Sequence, residues 1–168
     1  MSKTVAKSDA PKTKYLADYK KPDFLIETVD LDFDLHEDVT HVTSRMHLKR
    51  QGAAHAPLVL NGSNLKLVSL QIDGKKIPYE LNEDYLTIEN VPDDFDLVIV
   101  NDIDPAANTA LEGLYMSNGM FCTQCEAQGF RRIAYFIDRP DVMAIYKVRI
   151  EADKDKYPVL LSNGNQIN

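Results

Sequence analysis

Residues 29–35 read Val-Asp-Leu-Asp-Phe-Asp-Leu, and this stretch decides the fold class. The apolar members are Val29, Leu31, Phe33 and Leu35, and they alternate with Asp30, Asp32 and Asp34. A period of two places alternate side chains on opposite faces of an extended chain, so one face is apolar and the other is acidic. The stretch therefore predicts a half-buried β-strand with a negatively charged outer face, beginning near Phe24.

The residues that follow predict a second strand paired with the first. The polar run His36-Glu37-Asp38 is suited to a chain reversal. Beyond it, one side of the alternation is apolar and the other is polar and largely basic: Val42, Met46 and Leu48 against His41, Thr43, Arg45, His47 and Lys49. We expect a hairpin in which the acidic face of the first strand meets the basic face of the second, each exposed pair contributing only ~0.2–1 kcal/mol.

Short strands separated by turn residues continue along the rest of the chain. Further strands are expected at residues 58–60, 65–72, 85–88, 95–100, 133–137, 144–152 and 159–161, with Asp73-Gly74 as a hairpin turn. Residues 106–114, after Pro105, are the only segment suited to a short helix. Strands about ten residues apart, with Gly, Pro, Asn and Asp between them, predict an all-β fold: an antiparallel β-sandwich or curved sheets with little helix.

The length and composition favour one folded domain. A chain of 168 residues can bury one sizeable core, and 44% hydrophobic with 27% charged residues is ordinary for a globular protein. Residues 1–22 are rich in Lys, Ala, Asp and Ser without periodicity, which predicts a flexible leader. Tyr15, Leu16 and Tyr19 are the side chains able to anchor it. Residues 23–168 are expected to form the β-rich domain.

The charge and hydropathy patterns exclude several partners. A net charge of −7, without a large Lys/Arg cluster, argues against a nucleic-acid-binding face. The chain has no apolar run approaching the roughly 20 residues that span a bilayer, and its N-terminus lacks the apolar core of a secretory signal. We therefore expect no membrane partner and a cytoplasmic location.

Two motifs at first resemble metal or redox sites. His36 and His41 are five positions apart, whereas the zinc-protease motif H-E-x-x-H requires histidines four apart on one helical face; a solvated hairpin is the better interpretation. Cys122 and Cys125 form a C-x-x-C without the βαβ context of redox proteins or the further ligands of structural zinc. We interpret them as two semi-buried thiols, with a disulfide and a thiol or metal module left open.

Gln124 and Glu126 are the candidate binding residues. Two positions apart in an extended segment, they would point the same way and present one amide and one carboxylate to a neighbouring group. The pair is suited to holding a cation. The residues around Glu126, from Thr123 to Gly129, carry no compensating charge. A buried carboxylate here would therefore need a cation from elsewhere.

Two sources of that cation stay open from the residue types alone. Arg131 or Arg132 could form an internal salt bridge with Glu126, which would suit a non-enzymatic β-sandwich interaction module. Alternatively the cation belongs to a ligand. The chain shows no glycine-rich phosphate loop and no Gly-x-Ser-x-Gly nucleophile elbow, so catalysis by these residues alone has little support.

A set of motifs favours the ligand. Thr123-Gln124-Cys125-Glu126, followed by Arg131-Arg132, Tyr135-Phe136 and Asp138-Arg139-Pro140-Asp141, resembles the N-terminal domain of the aminopeptidase N family of zinc metallopeptidases. The resemblance includes the segments at 108–115 and 156–165, and runs from about Tyr15 to the end of the chain. It is greatest to the bacterial cytoplasmic branch.

The resemblance implies a saddle of β-sheets that packs on a catalytic domain of the same polypeptide. It also implies that Glu126 binds the free α-amino group of a peptide substrate and that Gln124 contacts its first residue. An ammonium offers three donors and one charge, which a carboxylate and an amide oxygen match; an internal peptide nitrogen is neutral.

The family's zinc ligands, its water-activating glutamate and its Gly-x-Met-x-Asn segment are expected outside residues 1–168. No catalytic residue and no metal ligand is therefore assigned to this chain, and no cofactor is expected in it. We expect a fragment of a longer aminopeptidase, inactive by itself, whose zinc is held by the catalytic domain.

Overall fold

The computed structural model describes residue 13 and residues 15–167, and the all-β prediction is confirmed. The strands are β1 (Phe24–Asp34), β2 (Thr40–Arg50), β3 (Leu58–Asn61), β4 (Lys66–Ile72), β5 (Lys75–Lys76), β6 (Glu80–Leu81), β7 (Tyr85–Ile88), β8 (Asp94–Ile103), β9 (Gly113–Ser117), β10 (Met120–Gln124) and β11 (Ile145–Glu151). Helical structure in this part of the chain is limited to single 3₁₀ turns at Leu16–Asp18 and Phe130–Arg132.

The strands form three sheets. A six-stranded sheet has the order β11-β1-β2-β8-β4-β5, a three-stranded sheet has the order β3-β7-β6, and β9 pairs with β10 in a hairpin of its own. Pairing is antiparallel throughout with one exception. β11 runs parallel to β1, with Val29 opposite Tyr146 and Leu31 opposite Val148. This parallel pair is a local addition to the antiparallel sheets that were expected: β11 follows the β9–β10 hairpin and joins β1 at the edge of the large sheet.

The β1–β2 hairpin forms as its alternation predicts. Val29, Leu31, Phe33 and Leu35 are buried, and β2 buries alternate residues from Thr40 to Leu48. On the outer face Arg45 bonds the carboxylate of Asp32, and Lys49 Nζ lies 2.9 Å from Glu27 Oε2. Acidic and basic faces therefore meet between the two strands, at sites exposed enough for each pair to contribute little.

The helix considered for residues 106–114 is absent. Residues 105–107 form a turn in which Ala107 N–H donates to Asp104 Oδ1 at 2.9 Å. Leu111 and Gly113 both have positive φ, 56° and 72°, which is incompatible with a right-handed helix. Local side-chain bonding and these two backbone conformations replace the helical pattern, and the chain enters β9 directly.

One buried core joins the sheets. It combines inner-face residues of the six-stranded sheet with Leu58, Leu60, Leu86 and Ile88 of the three-stranded sheet and with residues 133–137. The strand predicted at 133–137 is wrong, since only Phe136 makes a single bridge, to Asn61. Its five residues are all buried, and a short apolar run of this kind does not distinguish a strand from a buried irregular segment.

The strand predicted at residues 159–161 is also wrong. Val159, Leu160 and Leu161 are 71%, 42% and 86% exposed and have no strand partner among the described residues. A strand requires a neighbour for its backbone groups, and apolar side chains alone do not provide one. The strand predicted at 144–152 is confirmed as β11. The strands predicted at 58–60, 65–72 and 85–88 form within one residue of their expected bounds, and the one predicted at 95–100 runs three residues further, to Ile103.

The predicted leader is only partly visible, because residues 1–12 and 14 lie outside the described part. Within it, Tyr15 and Leu16 are exposed, whereas Tyr19 donates its hydroxyl to Asp141 Oδ2 at 2.9 Å. Arg139 lies over the Tyr19 ring at 5.7 Å and bonds the carbonyl of Lys20 at 2.8 Å. Tyr19 therefore docks this end of the chain on the loop at 138–141.

Candidate functional site

The β9–β10 hairpin, which the sequence analysis did not predict, carries the candidate site. Its strands are joined at Asn118-Gly119, where both residues have positive φ, 48° and 77°. Asn-Gly is the residue pair that two-residue hairpin turns prefer, so this signal was present in the sequence. Gln124 is the last residue of β10 and lies opposite Gly113 of β9.

A tight turn follows Gln124. Gly129 N–H donates to Cys125 O at 2.8 Å, which closes residues 125–129 into one turn, and the Glu126–Ala127 peptide bond within it is cis. A Cβ on Gly129 would lie 2.6 Å from Gln124 O and 3.0 Å from Cys125 Cα. The turn thus needs glycine at 129 for space, and it returns the chain directly against the end of β10.

Gln124 and Glu126 are both exposed beside this turn. The sequence argument placed them two apart in one extended segment, but the strand ends at Gln124 and Glu126 falls in the turn. Strand alternation therefore does not orient the two side chains. The structure places the Gln124 amide at the end of β10 and the Glu126 carboxylate in the turn that follows, and both are exposed.

Arg131 does not pair with Glu126. Its main-chain N–H and its Nε donate to Asp138 Oδ2 at 3.1 and 2.8 Å, and its Nη2 donates to the Asp138 carbonyl at 3.1 Å. The Asp138 side chain is only 9% exposed. Asp138 N–H in turn donates to Asn61 Oδ1 at 3.1 Å. This buried charge-assisted cluster closes the loop from 131 to 138 onto the end of β3.

Arg132 is occupied as well. Its Nε donates to Glu112 Oε2 at 3.1 Å, next to Gly113 at the start of β9. Glu126 has no hydrogen bond or ion pair with any residue among 13 and 15–167. The internal salt bridge considered for Glu126 is thus not formed, because each nearby arginine has another carboxylate.

An aromatic cluster packs around Phe130, which follows the turn at residues 125–129. The Phe130 ring packs edge-on against Phe136 at 5.0 Å and against Tyr146 at 6.1 Å. Burial, with a smaller contribution from the charges of Asp138 and Cys125, raises the pKa of Tyr146 to about 12. Burial and then the Asp138 charge also raise the pKa of Cys125, so this thiol is held in its neutral form.

The other motifs show no metal or redox arrangement. Cys122 lies on β10 and Cys125 begins the turn that contains Glu126, and both are free thiols. His36 and His41 flank the exposed β1–β2 turn, as expected of a solvated hairpin. Within residues 13 and 15–167 no group of three or more His, Cys, Asp or Glu side chains is placed to hold a metal ion. In the same residues, no helix has the length and apolar character to cross a membrane.

Sequence reasoning missed the two carboxylates that occupy the arginines. Glu112 and Asp138 were recognised only as parts of quoted motifs, and no role was given to either. The signal available in the sequence was the number of opposite charges: the segments that resemble the family contain three arginines (Arg131, Arg132, Arg139) and four acids (Glu112, Glu126, Asp138, Asp141). Which acid takes which arginine depends on how the β9–β10 hairpin and the loop fold together.

Most of the chain matches a known protein family. Residues 17–168 match the Peptidase M1 N-terminal domain. The chain is 52% identical to aminopeptidase N of Escherichia coli (strain K12) over 158 residues, which cover 94% of this chain and 18% of that protein. It thus spans less than a fifth of the length of this relative.

Solved structures agree with this match. The structure of Legionella pneumophila aminopeptidase A in complex with aspartic acid superposes with a TM-score of 0.85 at 38% identity, covering 92% of this chain and 19% of that one. An M1 zinc metallopeptidase from Deinococcus radiodurans shares the fold, with a TM-score of 0.66 at 15% identity over 77% of this chain and 32% of its own. The chain therefore belongs to the M1 peptidase family, of which it carries the N-terminal domain.

Proposed function

We propose that this chain is the substrate-recognising N-terminal domain of a zinc metallo-aminopeptidase that releases amino acids from the amino ends of peptides. Glu126 binds the substrate's free ammonium group, and Gln124 contacts the first residue. Zinc and the catalytic groups come from a catalytic domain in a longer polypeptide, and this chain alone is inactive. The relatives named aminopeptidase N support the activity class.

One observation carries the recognition role: Glu126 is an exposed carboxylate without a partner among the described residues, although two arginines lie within six positions of it. An ionised carboxylate without an internal partner keeps its full capacity to accept hydrogen bonds from a cation. An α-ammonium provides that cation, with three donors. Gln124 adds an amide beside it, which suits the polar atoms of the first residue.

The free energy expected for one hydrogen bond between Glu126 and an ammonium is large enough for amine recognition. A hydrogen bond to a charged group contributes about 1.5–3 kcal/mol, which corresponds to roughly tenfold to hundredfold preference for a charged amine over a neutral nitrogen. This preference separates a peptide's amino end from its internal bonds. It would direct hydrolysis in the neighbouring domain to the first peptide bond.

The metal belongs to the rest of the polypeptide. The described residues contain no suitable group of ligands, so no step of zinc chemistry is assigned to them. Bound zinc in such an enzyme would activate water and polarise the scissile carbonyl. The role of this chain is to hold the substrate's amino end in position. The cytoplasmic location remains a prediction.

The test is Glu126→Gln in the longer enzyme, which keeps the size of the side chain and removes its charge. We expect kcat/KM for a free-amine peptide to fall roughly tenfold or more, with zinc content per molecule unchanged. Glu80→Gln, an exposed glutamate on β6, is the matched control and should leave kcat/KM as it is. Wild-type kinetics in Glu126→Gln would overturn the proposed role.

A further inference from the structure

Arg131 and Arg132 follow Glu126 by five and six positions, and a free guanidinium that reached Glu126 would compete with a substrate's ammonium. Arg131 is held by three hydrogen bonds to Asp138, within a cluster whose carboxylate is almost fully buried. Arg132 is held differently: its Nε donates to Glu112 Oε2, and the Glu112 side chain is 52% exposed. The second pair is therefore the one that can exchange partners.

The Arg132 backbone lies next to the end of the β9–β10 hairpin, from which the turn at residues 125–129 begins. A Cβ on Gly113 would lie 2.6 Å from Arg132 Cβ, and Gly113 is the strand partner of Gln124. A Cβ on Gly129 would lie within 3.3 Å of Gly113 N and at 3.0 Å from Cys125 Cα. Arg132 is thus packed against Gly113, the residue that pairs with Gln124 at the end of the hairpin. The turn containing Glu126 begins directly after Gln124.

We infer that Glu112 is a specificity-determining positioning residue: by holding the Arg132 guanidinium, it keeps that cation off Glu126 and leaves the carboxylate to the substrate's ammonium. The inference rests on the proposed amine-recognition role of Glu126. A guanidinium and an ammonium compete for the same carboxylate oxygens, and Arg132 is tethered nearby at a high effective concentration. Glu112 therefore determines what fraction of the molecules has a Glu126 carboxylate free to bind a substrate.

The first experiment is Glu112→Gln in the longer enzyme. The amide no longer holds the guanidinium by charge, so Arg132 redistributes toward Glu126 and competes with the substrate. We expect KM for a free-amine peptide to rise roughly two- to fivefold, the range of an exposed ion pair, with kcat unchanged. Because exposed pairs are screened, the increase in KM should shrink as salt is raised.

The double variant Glu112→Gln/Arg132→Gln separates this role from a structural one. It also lacks the ion pair, so any loss of stability from breaking that pair persists in it. It has no competing guanidinium, however, and KM should return to the wild-type value. A KM that stays raised in the double variant, or a Glu112→Gln enzyme with unchanged KM, would overturn the inference.

Glu126→Gln measured in parallel distinguishes the two proposals. If Glu126→Gln weakens turnover of free-amine peptides while Glu112→Gln does not change KM, amine recognition stands and the positioning role fails. If Glu126→Gln has no effect, both fail. Thermal unfolding of each variant shows whether it is folded, and Glu112→Asp, which keeps the charge, should recover most of the wild-type KM.

Discussion

Gly129 shows at the scale of a residue how the candidate site is shaped. Its φ of −86° is ordinary for any amino acid, so backbone conformation does not require glycine there. The requirement is space, because the carbonyl of Gln124 and the Cα of Cys125 occupy the volume that a methyl group would need. This contact holds the turn containing Glu126 against the end of β10.

Gly129→Ala tests the contact. We expect the added methyl to push the turn away from β10 and lower the free energy of unfolding by about 1–3 kcal/mol, the usual cost of overpacking. Denaturant unfolding of the chain measures it. Gly119→Asn is the comparison variant: nothing lies within 4 Å of that position, so any loss of stability there comes from its positive φ and not from overpacking. Equal stability of Gly129→Ala and wild type would show that the turn has room to move.

Gln124→Ala addresses the other half of the proposed recognition pair. The amide is neutral, and its loss should cost less than the loss of the Glu126 charge: roughly a two- to tenfold fall in kcat/KM in the longer enzyme. The size of the fall should depend on the first residue of the peptide, since that residue is the proposed contact. A loss as large as that in Glu126→Gln, and the same for every peptide, would contradict the division of roles.

At the scale of elements, the outer face of the large sheet contains a second cluster of charges. His41 Nδ1 on β2 lies 2.7 Å from Asp102 Oδ1 on β8, and Lys66 Nζ on β4 lies 3.2 Å from Asp102 Oδ2. Burial by itself would raise the pKa of Asp102, but the hydrogen bonds and charges of His41 and Lys66 outweigh it and lower the pKa below its ordinary 3.8. The carboxylate thus joins three neighbouring strands.

This lowered pKa makes stability depend on pH in a definite direction. A group whose pKa is lower in the folded state stabilises the fold above its unfolded pKa, and that stabilisation is lost as the pH falls through the folded value. We therefore expect wild type to be more stable than Asp102→Asn at pH 5 to 6, with the difference shrinking below about pH 4.

Urea unfolding at several pH values measures the difference. Asp30→Asn is the control, because Asp30 is exposed on β1 and has no partner among the described residues. Its difference from wild type should stay small at every pH. A difference for Asp102→Asn that does not change between pH 6 and pH 3 would show that the contacts of Asp102 with His41 and Lys66 do not lower its pKa.

The elements that the sequence predicted well are those with an unambiguous period. β1 and β2 follow alternation, and the Asp73-Gly74 turn has both residues at positive φ, 49° and 75°, as a two-residue hairpin turn requires. Residues 133–137 are apolar at every position and therefore carry no period. They are fixed by tertiary contacts instead, such as the bond of 3.0 Å from Asn101 Nδ2 to the Ile133 carbonyl.

For the whole molecule, one edge of the large sheet is uncovered. Tyr146 and Val148 of β11 continue the core face of β1, yet they are 46% and 38% exposed. Outside the sheets, Leu161 is a further apolar side chain with 86% exposure. We proposed above that a catalytic domain accompanies this chain, and such a domain would be expected to cover apolar surface of this kind. Without it, the chain should associate with itself at high concentration.

Sedimentation over a range of concentrations tests this expectation. Association should weaken in an Ile145→Lys/Leu161→Lys variant, because both side chains are largely exposed and their replacement adds charge without disturbing the core. The thermal midpoint should remain near that of wild type. Monomers at every concentration for the unmodified chain would show that the uncovered edge does not drive association.

The sequence by itself determined the all-β class, the principal hairpin and the resemblance that the family match then confirmed, and it proposed Gln124 and Glu126 as candidate residues. These depend on local period and on motifs, which are readable along the chain. Only the tertiary structure decided which carboxylates hold Arg131 and Arg132, and hence that Glu126 has no partner among residues 13 and 15–167. Glu112 and Arg132 are twenty positions apart and Asp138 lies in a buried loop. Such pairings follow from how the strands and loop pack, because charge partners are chosen by distance in space and not by separation in sequence.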